Sequence, residues 1–310
     1  MDDLIMIGSM QASVMDALAE RFEIQKYWKA PNKAEFLAEN RHVRYLATNG
    51  HEGCSAEMMD ALPDLEVIVG YGVGTDAIDL TAAKARGIRV TNTPDVLNDA
   101  VAEMALGLML SLCRRIVDAD KHIRSGKWAS TGYPLTGELT GATVGILGLG
   151  RIGKEIAKRA QAFKMQVVYH GRSEQAHEPY PFYENLEDMA KAVDWLVAVV
   201  PGSAETTKLV DAKVLRALGP KGAIVNLGRG SLIDESAMIE LLQTGALGGA
   251  ALDVFEQEPM MSEALWAMPN VVLSPHQGSA TEKTRWAMGD LVVRNLFAHQ
   301  TGTPLISPVV

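Results

Sequence analysis

The chain has 310 residues, a length that sets a prior of two domains. Apolar residues make up 47% and charged residues 22%, enough to build a large core, and only two cysteines, Cys54 and Cys113, are present, which excludes a disulfide scaffold or a cysteine zinc site. The net charge of -9 and the lack of any Lys/Arg block argue against nucleic-acid binding, and the seven histidines form no H-x-x-x-H metal motif.

The start, Met1-Asp2-Asp3-Leu4, has no basic segment, so no signal peptide is expected. The longest apolar stretch, Met104 to Cys113, spans ~15 Å as a helix, too short for a bilayer. A soluble cytoplasmic protein with no membrane partner is expected.

Leu4 to Ile7 reads as a strand ended by Gly8, and Ala12 to Glu20 as a helix. Tyr45 to Thr48, Glu66 to Val69 and Ile88 to Thr91 are further strand candidates, the last following Gly87 where a helix would stop. This rhythm predicts a parallel sheet with helices on its faces. A long helix is expected from Asn98 to about Ser125, capped by Asp95 or Asn98 and ended by Gly126. Its stretch from Met104 to Leu112 is apolar almost all round and so must be buried, inside one domain or between subunits.

A second series follows. Thr143 to Leu147 is a strand and Arg151 to Phe163 a helix. The strands Gln166 to Tyr169, Asp194 to Val199, Ala223 to Asn226, Gly249 to Leu252 and Val271 to Leu273 are apolar runs of the kind buried on both faces. A last helix, about Thr281 to His299, has no sheet of its own left and is expected to pack on the first domain.

Gly148-Leu149-Gly150-Arg151-Ile152-Gly153 is a G-x-G-x-x-G between strand and helix, the context that makes it a dinucleotide turn. The first glycine permits the turn, the second a close approach of pyrophosphate, and the third tight helix–strand packing. NAD sites place a carboxylate at the tip of the next strand. Here the tip is Gly171, followed by Arg172 and Ser173, a pair suited to a 2′-phosphate. NADP(H) is therefore the expected cofactor, with NAD(H) second. Arg151 either adds positive charge for that phosphate or contacts only the pyrophosphate.

Three strand ends carry polar residues: Arg229 after Asn226, Glu258 after Leu252, and His276 after Leu273. Ligands of parallel sheets sit at this edge. An Arg to hold an anion, a His to move a proton and a carboxylate to orient the His suit hydride transfer to a carbonyl.

With these segments in order, the chain resembles the D-isomer-specific 2-hydroxyacid dehydrogenases, glyoxylate/hydroxypyruvate reductase branch. Also similar are Gly72-Val73-Gly74-Thr75-Asp76, Val90 to Pro94, and the spacings of 29 residues from Arg229 to Glu258 and 18 from Glu258 to His276. The resemblance implies two Rossmann-like or flavodoxin-like α/β domains, each with a parallel sheet, and a cleft between them. Residues 1–97, completed by 279–310, would bind substrate, and 98–278 the dinucleotide. Bending is expected near Thr93-Pro94 and Gln277-Gly278. His276 would be the acid/base, Glu258 its partner and Arg229 the substrate anchor. The N–H groups of Val73 and Gly74 would take the substrate carboxylate, with Ser279 beside the substrate. Asp253 would hold the nicotinamide carboxamide, and Pro201 and Thr206 would line the cofactor site. The apolar stretch of the Asn98 to Ser125 helix predicts a homodimer built on it, and the resemblance implies that Trp128 enters the partner's site, against the alternative of a core residue in its own subunit.

The sequence departs from the family at Gly171, Val200, Gly202 and Gln277, and Tyr71 is bulky before Gly72. The expected activity is NADPH-dependent reduction of glyoxylate or hydroxypyruvate. The alternatives are a reductase of a larger 2-oxoacid, such as 2-ketogluconate or an aryl-pyruvate, and a non-catalytic nucleotide sensor resembling the dehydrogenase-like corepressors.

Overall fold

The computed structural model describes all 310 residues. They divide into two compact units, Met1–Leu97 with Ser279–Val310, and Asn98–Gly278.

The first unit contains β1 (Asp2–Met6), α1 (Ala12–Ala19), β2 (Phe22–Lys26), α2 (Lys33–Glu39), β3 (Tyr45–Asn49), α3 (Ala56–Ala61), β4 (Val67–Tyr71), α4 (Leu80–Ala85) and β5 (Arg89–Thr91). Its five strands run parallel in the order β2-β1-β3-β4-β5. Alternate residues of β1, β3 and β4 feed two cores. Ile5, Leu46, Ile68 and Val90 pack on Met59, Ala82 and Ala83 of α3 and α4. Leu4, Met6, Tyr45, Ala47, Val67 and Val69 pack on Val14 and Leu18 of α1. Each fully buried Val, Leu, Ile or Met among them contributes about 1.5–3 kcal/mol. Side-chain oxygens of Asn32, Ser55 and Asp79 cap α2, α3 and α4.

The second unit begins with α5 (Asn98–Cys113) and α6 (Ile116–Arg124). It continues with β6 (Thr143–Leu147), α7 (Arg151–Ala162), β7 (Gln166–His170), α8 (Leu186–Ala192), β8 (Trp195–Ala198), α9 (Ala212–Leu218), β9 (Ala223–Asn226), α10 (Glu235–Thr244), β10 (Gly249–Leu252) and β11 (Val271–Leu273). The six strands are parallel in the order β11-β10-β9-β8-β6-β7. The direction of winding reverses between β6 and β8, and this switch point is where open α/β sheets take ligands.

The single long helix expected from Asn98 to Ser125 is two helices. Arg115 adopts φ 49°, in the left-handed region, and separates α5 from α6. The break falls where the apolar run ends: α5 is buried against α7, β9, β10 and β11, whereas α6 buries no residue. Asn98 is the first helical residue rather than a cap, and Asp95 lies before it at φ 68°. Gly126, at φ 74°, does end α6. The apolar stretch of α5 is thus covered largely within its own unit, leaving only Gly107 of Met104 to Leu112 exposed.

α11 (Glu282–Gln300) belongs to the first unit and packs on α1 and β4, as expected for a helix without its own sheet. Gly289 makes this packing possible, since a Cβ there would stand 2.1 Å from Val14 Cγ2. No helix is long and apolar enough to cross a membrane.

Candidate active site

The glycine turn joins β6 to α7. Gly148 has φ 101°, and a Cβ on it would lie 2.6 Å from Val200 Cγ1, so Val200 packs into the space a side chain would take. A Cβ on Gly153 would lie 2.2 Å from Gly148 O, so only glycine lets α7 sit this close to the turn. A Cβ on Gly150 would meet nothing within 4 Å. Gly150 is also the N-cap of α7 and brings no side-chain cap. No side chain at the cap therefore competes for the first turn of α7, whose N-terminal dipole end favours an anion. A tight first glycine, an open second and a crowded third fit a pyrophosphate cradle.

At the tip of β7, Gly171 has open space where a Cβ would be, and Arg172 and Ser173 are exposed. This donor set suits a phosphate and lacks the carboxylate that would repel one. His170 donates from Nδ1 to Tyr183 O at 2.8 Å. Beyond β8, Thr206 folds the loop on itself by donating from Oγ1 to Pro201 O at 2.8 Å.

The ends of β9, β10 and β11 come together. Arg229 is half-buried, its own loop closed by Asn226 Nδ2 donating to Arg229 O at 2.8 Å. Gly230 is crowded against the next loop, for a Cβ would lie 1.8 Å from Phe255 O. Glu258 accepts from the Phe255 N–H at 2.9 Å through Oε1 and pairs with His276 Nδ1 at 2.7 Å through Oε2. A carboxylate only accepts, so Nδ1 carries the proton in this pair.

Asp253 has more internal partners than the sequence alone discloses. Oδ1 accepts from Ser274 Oγ at 2.5 Å and from Gln277 N at 2.9 Å, and Oδ2 accepts from Gly278 N at 2.7 Å. The Asp253 carbonyl accepts the His276 N–H at 2.8 Å. Three of about four lone-pair sites on the carboxylate are occupied by these bonds. His276 itself has φ 48°, a left-handed conformation that costs energy outside glycine and is held here by these bonds.

In the first unit, Val73 and Gly74 follow Gly72, which has φ 146°. Thr93 clamps that glycine, accepting the Gly72 N–H on Oγ1 at 3.0 Å and donating its own N–H to Gly72 O at 2.9 Å. Asn92 Nδ2 donates to Val73 O at 2.9 Å, fixing the Val73–Gly74 peptide. Neither Asn92 nor Thr93 stands out in the sequence as a site residue. Tyr71 turns its hydroxyl to Arg285 O at 3.1 Å and its ring toward the Arg285 guanidinium, so it packs on α11. Ser279 is half-buried just after the second unit ends. Trp128, 66% exposed in a short 3-10 turn, is not a core residue of its own subunit.

The model for the D-isomer specific 2-hydroxyacid dehydrogenase, NAD binding domain, matches residues 106–278. The chain belongs to the D-isomer specific 2-hydroxyacid dehydrogenase family. It is 44% identical to hydroxyphenylpyruvate reductase of Plectranthus scutellarioides, and 45% identical to glyoxylate/hydroxypyruvate reductase A of Arabidopsis thaliana. Each alignment covers 99% of this chain and 98% of the relative. Among solved structures, an NADPH-dependent glyoxylate/hydroxypyruvate reductase from Sinorhizobium meliloti, in complex with NADP and malonate, superposes with a TM-score of 0.93. That protein is 42% identical, over 100% of this chain and 97% of its own.

Proposed function

We propose that this enzyme reduces a small 2-oxoacid, glyoxylate or hydroxypyruvate, to the D-2-hydroxyacid with NADPH, NADH being the less favoured cofactor. The observation that carries the reading is the 2.7 Å pair between His276 Nδ1 and Glu258 Oε2 at adjoining strand ends, in a chain with an open dinucleotide turn. The names of the relatives support the same activity.

When bound, the nicotinamide supplies the hydride. His276 gives the proton from Nε2 to the substrate carbonyl oxygen, and Glu258 stabilises the imidazolium before transfer. Arg229 holds the anionic substrate, and the N–H groups of Val73 and Gly74 take its carboxylate, with Ser279 beside it. Gly148 to Gly153 cradle the pyrophosphate, and Arg172 and Ser173 take the 2′-phosphate. Pro201 and Thr206 line the cofactor, and Asp253 holds the carboxamide. Residues 1–97 with 279–310 thus act as the substrate-binding domain, and 98–278 as the dinucleotide-binding domain.

The enzyme works as a homodimer, and Trp128 reaches the partner's substrate. Exposed Ile116, Val117, Ile123, Trp128 and Leu135, all on or just after α6, form an apolar surface that a second copy would cover. Its two free cysteines and its acidic charge suit the cytoplasm.

A second reading, reduction of an aryl-pyruvate, rests on the similarity to the Plectranthus enzyme. Initial rates with NADPH and NADH on glyoxylate, hydroxypyruvate, 4-hydroxyphenylpyruvate and 2-ketogluconate decide between them. We expect the highest kcat/KM with NADPH and glyoxylate or hydroxypyruvate. A higher value for the aryl substrate selects the second reading, and no turnover on any of the four makes the chain a nucleotide sensor.

A further inference from the structure

We infer that Gln175 is a positioning residue for NADP recognition: it fastens the segment that carries Arg172 and Ser173 to the glycine turn, so that two phosphate sites stand at a fixed spacing. This rests on the cofactor reading above and adds to it a residue with no expected role in the sequence.

Gln175 is half-buried and makes two bonds in opposite directions. Its backbone N–H donates to Tyr169 Oη at 2.7 Å, and the Tyr169 ring is buried within β7. Its side-chain Nε2 donates to Leu149 O at 2.8 Å, inside the glycine turn. A carbonyl only accepts, so the amide nitrogen must face Leu149. One residue therefore ties the strand-tip segment both to its own strand and to the pyrophosphate cradle. A second tie runs parallel to it, between Lys154 on α7 and Glu178 at 2.7 Å. Further along, the Tyr169 N–H donates to Pro181 O at 3.0 Å and the Tyr183 N–H to Tyr169 O at 2.8 Å, returning the loop to the strand. The segment is folded by the protein's own bonds.

The consequence is selective. NADPH must reach the glycine turn and Arg172 together, whereas NADH needs only the turn. A loop left free to drift would cost the 2′-phosphate contact its preorganisation and leave the pyrophosphate contact nearly unchanged.

Gln175→Met keeps the length and removes the donor. Losing one neutral hydrogen bond corresponds to about a 3- to 10-fold effect. Calorimetric titration of the full-length protein with NADP+ should show this loss, and titration with NAD+ should change less than about twofold. The KM for NADPH should rise by the same factor with kcat at saturation unchanged, a split that general structural damage would not give. Without cofactor, amides of residues 171–178 should exchange hydrogen faster than in the unmodified protein, and Gln175→Lys, which restores a donor, should slow that exchange again. Equal losses for NADP+ and NAD+, or no change for either while Arg172→Ala still discriminates between them, would overturn the assignment. Equal affinity of the unmodified protein for NADP+ and NAD+ would overturn the cofactor reading itself, and this inference with it.

Discussion

His276 combines a demanding backbone with a demanding side chain. Its φ of 48° is held from one side by Asp253, and its ring from the other by Glu258. His276→Ala should lower kcat/KM by ~10²–10⁴-fold, the usual worth of a positioned acid/base. Asp253→Asn replaces one acceptor with an NH2 group facing a backbone donor, so the 274–278 loop must shift. Displacements of about 1 Å in a reacting group can cost ~10²-fold, and kcat should fall by ~10–100-fold in stopped-flow turnover. If only cofactor affinity fell, Asp253 would act on the carboxamide alone. On the proposed reading, Arg172 sets cofactor choice at the same scale. A charge-assisted hydrogen bond of ~1.5–3 kcal/mol corresponds to a ~10–100-fold preference. Arg172→Ala should raise the KM for NADPH by that factor and leave NADH nearly unaffected. Gly171→Asp, which has room for its side chain, should shift preference toward NADH. Steady-state kinetics with both cofactors checks the pair.

The element that decides nucleotide binding is the β6–turn–α7 unit, and its glycines divide the work. Gly153→Ala places a Cβ 2.2 Å from Gly148 O, so α7 must move away from the turn. Overpacking of this kind costs ~1–3 kcal/mol, a fall in Tm of about 3–10 °C by calorimetry. Gly150→Ala meets no atom within 4 Å and should leave Tm unchanged, while it abolishes cofactor binding because its Cβ enters the cradle. A fall in Tm for both variants, or for neither, would contradict this division. The α5–α6 break is also an element-scale fact: two arginines end the buried run, and the chain leaves the core at Arg115.

At the scale of the whole molecule, the chain's return through α11 completes the first unit. Glu66, just before β4, accepts from Arg44 Nε at 2.7 Å and pairs with His299 Nε2 at 3.0 Å. The Arg44 guanidinium, and His299 after it, hold the Glu66 carboxyl below the ordinary glutamate range. A carboxyl depressed in the folded state contributes stability above its unfolded value, near 4.3, and loses it as pH falls through the folded value. Both partners are substantially exposed, so the contribution is about 1 kcal/mol or less. Arg44→Met should therefore lower Tm slightly at pH 7, and the difference should shrink progressively as the pH falls below the ordinary glutamate value, about 4.3. A difference that does not shrink with acidification would place the effect in packing instead. The apolar surface of α6 and the following loop, with Leu135 fully exposed, predicts a dimer. Light scattering at micromolar concentration should give twice the mass of 33.5 kDa, and a monomer would remove the role given to Trp128.

The sequence by itself determines what is local. Apolar runs mark β6, β8, β9 and β10 because strands buried on both faces need them, whereas the edge strand β11 is apolar but only half-buried, and the spacing of Gly148, Gly150 and Gly153 between strand and helix reads the turn. Arg229, Glu258 and His276 are legible because each ends such a run. β2 is not legible: it is an edge strand with one buried residue in five, and its side chains follow no clear pattern. The short helices α2, α3 and α4 are marked only by single capping residues. Only the tertiary structure decides which polar groups meet. Gln175 lies 26 residues from Leu149, Ser274 lies 21 from Asp253, and Thr93 lies 21 from Gly72. These partners are chosen by parallel strands that bring distant loops to one edge, and no residue pattern along the chain encodes that juxtaposition.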